Sequence, residues 1–197
     1  MRLERPRVPP AEPEEWDDDT RRLLTGFAEH NDGVVMNVLS TLAHHPKLLK
    51  RWTVFGNHVM GASTLPARER ELAILRTGLL ARSAYEWAQH VAIARRAGCS
   101  DQEIARVVDG PDADGWSDDD RALLRATDEL MADQFIGDAT WDALAQRWSL
   151  QQCLDLVFTV GQYCLVSMAL NTLGVQIEAG VERFPAELFE GELFDGP

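Results

Sequence analysis

Almost every stretch of this chain with a readable hydrophobic period has the period of an α-helix, which restricts it to packed helices. Leu48, Trp52, Phe55 and Val59 recur at 4-3-4 spacing, on a helix whose start Pro46 marks. Leu23, Leu24 and Phe27 place another helix after Asp19. The pattern then predicts a helix from near Pro66 to about Arg82, followed almost at once by one from Ala84 to Ala97, which Gly98 ends. Ser100 with Glu103 is a capping-box signature for a short helix through Val108. The run from Asp109 to Gly115 is the clearest break. Beyond it Ser117 with Asp120 caps a helix carrying Leu123, Leu124, Thr127, Leu130 and Met131. Further helices are expected at about Asp138 to Arg147 and Leu150 to Leu173. Strands have almost no support, because no hairpin dipeptide lies between alternating runs. The expectation is an all-α, single compact domain of eight to ten helices.

A chain of 197 residues can bury a sizeable core, and an apolar share of 45% suits a globular domain. The expected division is an N-terminal arm over 1–18, poorly ordered, a helical domain over 19–179 with a linker near 109–117, and an acidic tail over 180–197. The formal charge of −13 repels phosphate backbones, so nucleic acid is not an expected partner. Met1 to Asp19 lacks the apolar core of a signal peptide. The most apolar run, Leu156 to Leu170, reads as too short for a bilayer and is broken by Thr159, Gln162 and Ser167, so no membrane is expected. Cys99, Cys153 and Cys164 are an odd number without a close pair, which points to free thiols and a cytoplasmic protein.

The informative region is Arg68 to Ala97. At 100° per residue, Trp87, Val91, Ile93, Ala94 and Ala97 share an apolar arc, and Ser83, Glu86 and His90 fall inside it. On the preceding helix Glu71 lies in the middle of the arc set by Leu72, Ile74, Leu75 and Leu79, with Glu69 and Arg70 pointing away. Two inward carboxylates, an imidazole and a hydroxyl then meet in one apolar place. An unpaired carboxylate there loses several kcal/mol of hydration or takes up a proton, so pairing or chemistry has to account for the set. A purely structural account pairs Glu71 with Arg68 or Arg82, and His90 with Glu86.

The segment Leu65 to Arg76, followed by Tyr85-Glu-Trp-Ala-Gln-His90, resembles the carboxymuconolactone decarboxylase-like and alkylhydroperoxidase-D-like family. Val160 to Tyr163 and Leu170 to Gly174 resemble its final helix, and Thr41 to Pro46 its N-terminal part. The resemblance implies an AhpD-like helical bundle and a homo-oligomer, with outward Tyr85 and apolar residues of the last helices available for contacts. In the family's peroxidase branch a CxxC pair falls where this chain has Ser83 and Glu86, with the glutamate and histidine at Glu71 and His90. Neither replacement can form a disulfide or reduce a peroxide. The resemblance therefore implies the branch lacking the CxxC pair, which relies on acid–base groups.

The expected function is a non-redox, lyase- or isomerase-type acid–base enzyme. Its substrate is a small organic acid, lactone or enolisable ketone, and it needs no cofactor. His90 is the main acid/base, tuned by Glu86 one turn away; Glu71 is a second acid/base or an orienting group. Ser83 donates a hydrogen bond to the substrate or to Glu71, and Trp87 forms an apolar wall that binds the substrate. A metal site built from Glu86, His90 and Glu71 with His58 or His44 and His45 lacks the dense histidine spacing of known signatures, so no metal is expected. A non-catalytic binding or interaction module is the remaining alternative, recognisable by the absence of a cavity at His90.

Overall fold

The computed structural model describes residues 3–189. Nine α-helices follow one another, with no strand among the described residues. They are α1 (Asp18–Glu29), α2 (Asn37–Leu42), α3 (Pro46–Asn57), α4 (Ala67–Leu80), α5 (Ala84–Arg96), α6 (Asp101–Asp109), α7 (Asp118–Asp133), α8 (Asp138–Arg147) and α9 (Leu150–Leu173). The caps read from the sequence form. Ser100 and Glu103 bond reciprocally at the start of α6, and the Ser117 hydroxyl accepts from the Asp120 N–H at the start of α7. Helix α2 has no counterpart in the sequence reading. It is only six residues long and its N-cap is Met36, which cannot cap with its side chain. Past Asn57, α3 runs into a π-helical turn, His58–Ala62. Such turns interrupt the regular ladder and re-aim side chains.

Helix α4 is the axis of the fold and packs on α5, α6, α7 and α9. Every residue from Arg70 to Leu79 is buried, polar ones included. The polar ones are compensated. Arg76 donates to both carboxylate oxygens of Asp128, at 2.6 and 2.9 Å, and to the carbonyls of Val107 and Val108. Thr77 returns its hydroxyl to the Ala73 carbonyl. Leu72, Leu75 and Leu79 of α4 join Trp87, Val91, Leu123, Leu124, Leu144 and Leu156 in the main core. A second core, built on Leu24, Leu39, Leu49, Tyr85, Val166 and Leu170, gathers α1–α3 against the other side of α5 and the end of α9. Val59, Ile74 and Tyr163 make a third, smaller one.

The arm expected to be poorly ordered is packed over its described residues. Residues 3–17 lie on the rest of the fold: Arg7 and Val8 donate to the Leu173 carbonyl, Ala11 donates to Ser40, and Ala11 is buried. The 109–117 break is a tight corner in which buried Trp116 donates to the Gly110 carbonyl. Gly110 has φ +81° and leaves room for the Arg76 guanidinium, which a side chain there would strike. In the acidic tail Phe184 and Phe189 stand edge-on to Trp87, while 190–197 fall outside the described residues.

Helix α9 is longer than its most apolar run. Its 24 residues pass the length and composition test for crossing a membrane, which the shorter run read from the sequence does not. Half of that apolar window is buried inside the fold, against α4, α7 and α8. A core helix passes the same test.

Candidate active site

Helices α4 and α5 are joined by a three-residue corner. Ser83 N–H donates to the Gly78 carbonyl and Arg82 N–H to Leu79, with Arg82 in the left-handed region at φ +52°. The two helices can lie close because Gly78 has no side chain. A Cβ there would stand 3.2 Å from the Glu86 Cβ. This approach brings Glu71 of α4 face to face with His90 of α5.

Three of the four polar groups picked from the sequence converge. Glu71, 0% exposed, places Oε2 2.7 Å from His90 Nδ1. Its other oxygen accepts from Arg70 Nε at 3.2 Å. On the opposite ring nitrogen, His90 Nε2 lies 3.4 Å from Glu86 Oε2. The Tyr163 ring meets the His90 ring edge-on at 4.7 Å and fixes its plane, and the Tyr163 hydroxyl donates to Met60 Sδ at 2.9 Å. The result is a row of alternating charge: guanidinium, carboxylate, imidazole, carboxyl.

Burial sets the protonation of this row. It pushes the Glu86 carboxyl from 4.5 up to about 7; the His90 charge pulls it down and the Glu71 charge pushes it up. For His90 burial acts the other way and favours the neutral ring. The Glu71 carboxylate, by charge and hydrogen bond, outweighs it, so His90 holds its proton to a higher pH than a free imidazole. Burial also carries the Tyr163 hydroxyl well above its ordinary value.

Glu86 and His90 border a cavity of about 180 Å³. Its walls are mostly apolar and come from α1, α2, α3, the π-helical turn, α5 and α9. Met36, Leu39, Trp52 and Val166 are among them, with Tyr85, Gln89 and Gln162 as polar additions. A broader hollow of about 630 Å³ lies between the starts of α1 and α3. It is lined by surface groups such as Asp19, Arg22, Lys47 and Lys50, and neither Glu71, Glu86 nor His90 borders it.

Several expectations are corrected by these positions. Ser83 is buried at the start of α5, borders no part of the cavity, and its hydroxyl has no hydrogen-bond partner among the described residues. Trp87 faces the main core under Phe184 and Phe189 and is not a cavity wall. Tyr85, expected outward, is buried: it lines the cavity and donates to Glu178 Oε1 at 2.6 Å. Arg70, expected to point away, is the cation that holds Glu71, where Arg68 or Arg82 was anticipated. Arg68 instead holds Glu103 and Asp120. Glu71, not Glu86, fixes the Nδ1 side of His90.

His58 is paired with Asp155 at 3.1 Å, His44 meets the Pro9 carbonyl, and His45 caps Leu48, so none of them joins the row. No group of three or more histidine, cysteine, aspartate or glutamate residues is arranged to hold a metal among the described residues. The sequence reading does not single out Tyr163, Met60 or Gln162 as site residues, because they come from α9 and a turn distant in sequence from α4 and α5. The polar interruption of α9's apolar run at Gln162 was the one local signal.

The model of the carboxymuconolactone decarboxylase family matches residues 46–129, the span from α3 to α7 that contains Arg70, Glu71, Glu86 and His90. No curated protein matches the sequence. Among solved structures, the chain resembles an alkylhydroperoxidase AhpD core, an uncharacterized peroxidase-related protein from Ralstonia eutropha JMP134. The TM-score is 0.78 at 23% identity, covering 93% of this chain and 94% of that one. A putative antioxidant defence protein AhpD from Agrobacterium tumefaciens gives 0.65 at 20% identity, over 70% and 95%. The debrominase Bmp8 in complex with 2,3,4-tribromopyrrole gives 0.74 at 16%, over 87% and 91%. At these identities the structures speak for the fold. The family model thus covers the segment that builds the site, the solved structures share the helical fold, and this chain has no CxxC pair.

Proposed function

We propose that the protein is a proton-transfer enzyme acting on a small organic acid, lactone or enolisable ketone, with Glu86 and His90 as the exchanging pair. The observation that carries this reading is that both border the cavity while Glu71, behind them, occupies His90 Nδ1. A carboxyl pushed to about 7 is present in both forms near neutrality, as a general acid/base requires. As base, Glu86 takes a proton from carbon next to a carbonyl, and the C–H electron pair moves into an enolate. His90, oriented by Glu71, exchanges a proton with Glu86 across the 3.4 Å gap through Nε2. Return of that proton to another atom isomerises the substrate, and expulsion of a β leaving group by the enolate makes the reaction an elimination. In a decarboxylation the C–C pair released with CO2 forms the enolate, which the protonated Glu86–His90 pair then protonates at carbon. The cavity is below the roughly 300–1,000 Å³ usual for drug-sized ligands, which supports a small substrate.

Thiol chemistry has little support. None of the three cysteines borders the cavity, and burial pushes the Cys99 thiol up to about 12 and raises Cys153 and Cys164 as well.

The test is hydrogen–deuterium exchange at the α-carbon of small ketones, lactones and keto acids in D2O, followed by proton NMR. Wild-type protein should accelerate exchange on members of this panel, and Glu86→Gln and His90→Ala should return it to background. Exchange that is never accelerated, or that survives both substitutions, removes the proposal.

A further inference from the structure

Most polar side chains around the cavity already have partners. Thr53 donates to the Leu49 carbonyl at 3.0 Å, Tyr85 and Gln89 donate to Glu178, and Tyr163 donates to Met60. Asn57 is exposed at the rim. Gln162 differs. It is 6% exposed, it borders the cavity from α9, and its amide makes no hydrogen bond to any described residue. An amide that faces a cavity with no protein partner has its donor and acceptor free for a bound molecule. Space for that molecule exists beside it. Gly56, on the facing helix α3, also borders the cavity, and the nearest atom to a Cβ built there is Gln162 Nε2 at 3.9 Å.

The charge of the site narrows what that partner can be. No lysine or arginine lines the cavity. The one cationic group there, His90, already faces Glu71 and Glu86. A carboxylate ligand would be a third acid beside Glu71 and Glu86, where the one cation is already engaged, which is unfavourable. A neutral carbonyl avoids this. It accepts from an amide N–H, as Gln162 can offer, and brings no charge.

We propose that Gln162 is the recognition residue of the cavity, donating through Nε2 to the carbonyl oxygen of a small neutral ketone, ester or lactone whose apolar part lies against Met36, Leu39 and Trp52. The inference rests on the proton-transfer reading only for what then happens to that carbonyl, and it narrows the substrate class by setting acids aside.

Cyclohexanone and cyclohexanecarboxylate test it, because the rings match and only one carries charge. Binding to the intact protein is measured by ligand-observed NMR at pH 7.5. The ketone should bind and the carboxylate should bind at least about tenfold more weakly, a comparison that needs no variant. Gln162→Leu should weaken the ketone by about tenfold or more with the helical circular dichroism unchanged. Gln162→Glu, which keeps the shape but loses the donor, should do the same. Equal binding of the two probes, no binding of either, or ketone affinity unchanged in both variants overturns the proposal. Glu86→Gln should keep ketone binding while losing α-carbon exchange. Exchange that persists in Glu86→Gln, with ketone affinity still dependent on Gln162, defeats the catalytic reading and leaves the recognition one standing.

Discussion

His90 Nδ1 and Glu71 Oε2 lie 2.7 Å apart across the α4–α5 contact, and this pair decides which face of the imidazole is left for chemistry. With Nδ1 taken, Nε2 faces Glu86 and the cavity. Glu71→Gln keeps a hydrogen-bonding group but removes the charge that raises the His90 pKa. The expected outcome is a loss of exchange activity of about 10- to 100-fold, with the His90 titration moved to lower pH in proton NMR.

The same row makes stability depend on pH. Glu86 titrates at about 7 in the fold against 4.5 for a free carboxyl, so between those values the native state binds more protons than the unfolded one. Its contribution therefore falls as pH rises through that window and levels off above it. His90 acts in the same direction: its folded pKa is raised above 6.5, so its contribution is complete below 6.5 and is lost as pH rises through the folded value. Keeping Glu86 charged at pH 8 costs the fold roughly 3 kcal/mol. Glu86→Gln should then raise Tm at pH 8 by roughly 5–10 °C, shrink that gain toward pH 5, and abolish turnover. Differential scanning calorimetry across pH checks it.

Gly78 is the contact that lets α5 reach α4. Alanine is normally the better helix residue, but a Cβ at 3.2 Å from the Glu86 Cβ presses on an atom fixed to the backbone. Gly78→Ala should cost about 1–2 kcal/mol in chemical denaturation and lower exchange activity by shifting Glu86.

How far the site could be read in advance follows from these residues. Capping pairs such as Ser100 with Glu103 are local chemistry, so most helix boundaries were legible. The inward positions of Glu71, Glu86 and His90 followed from the helical period, because neighbouring arcs must meet across a short corner. The period does not say which side of an inward arc meets a cavity and which meets solid core. Trp87 and Glu86 are adjacent in sequence, yet one lies under Phe184 and Phe189 and the other borders the cavity. Tyr85 was misplaced because the second core covers a face of α5 that its own sequence marks as outer. Arg70 was misplaced because a long side chain can turn its head toward a buried neighbour.

Helix α9 leaves Leu150, Leu154, Phe158, Leu165 and Met168 between 48% and 64% exposed. From Leu154 these positions, with Gly161, repeat every three or four residues, as in a seam between helices. The expected outcome is self-association through this stripe. Light scattering should give a multiple of 22.0 kDa for wild type and the monomer mass for the double substitution Phe158→Glu, Leu165→Glu. A monomeric wild type contradicts it.

Replacing all three cysteines by serine tests the absence of thiol chemistry. Cys99 and Cys153 are buried and none of the three borders the cavity, so α-carbon exchange should change less than about threefold once the folded fraction is matched by circular dichroism. Loss of exchange would place a thiol in the mechanism.

The most direct test is a carbon-13 NMR titration of the glutamate side-chain carboxyls between pH 3 and 9. One resonance should titrate near 7 and disappear in Glu86→Gln, marking a buried carboxyl that exchanges protons at neutral pH beside His90. If every glutamate carboxyl, Glu86 included, titrates near the ordinary 4.5, Glu86 has no proton to exchange at neutral pH and the account of the site is wrong.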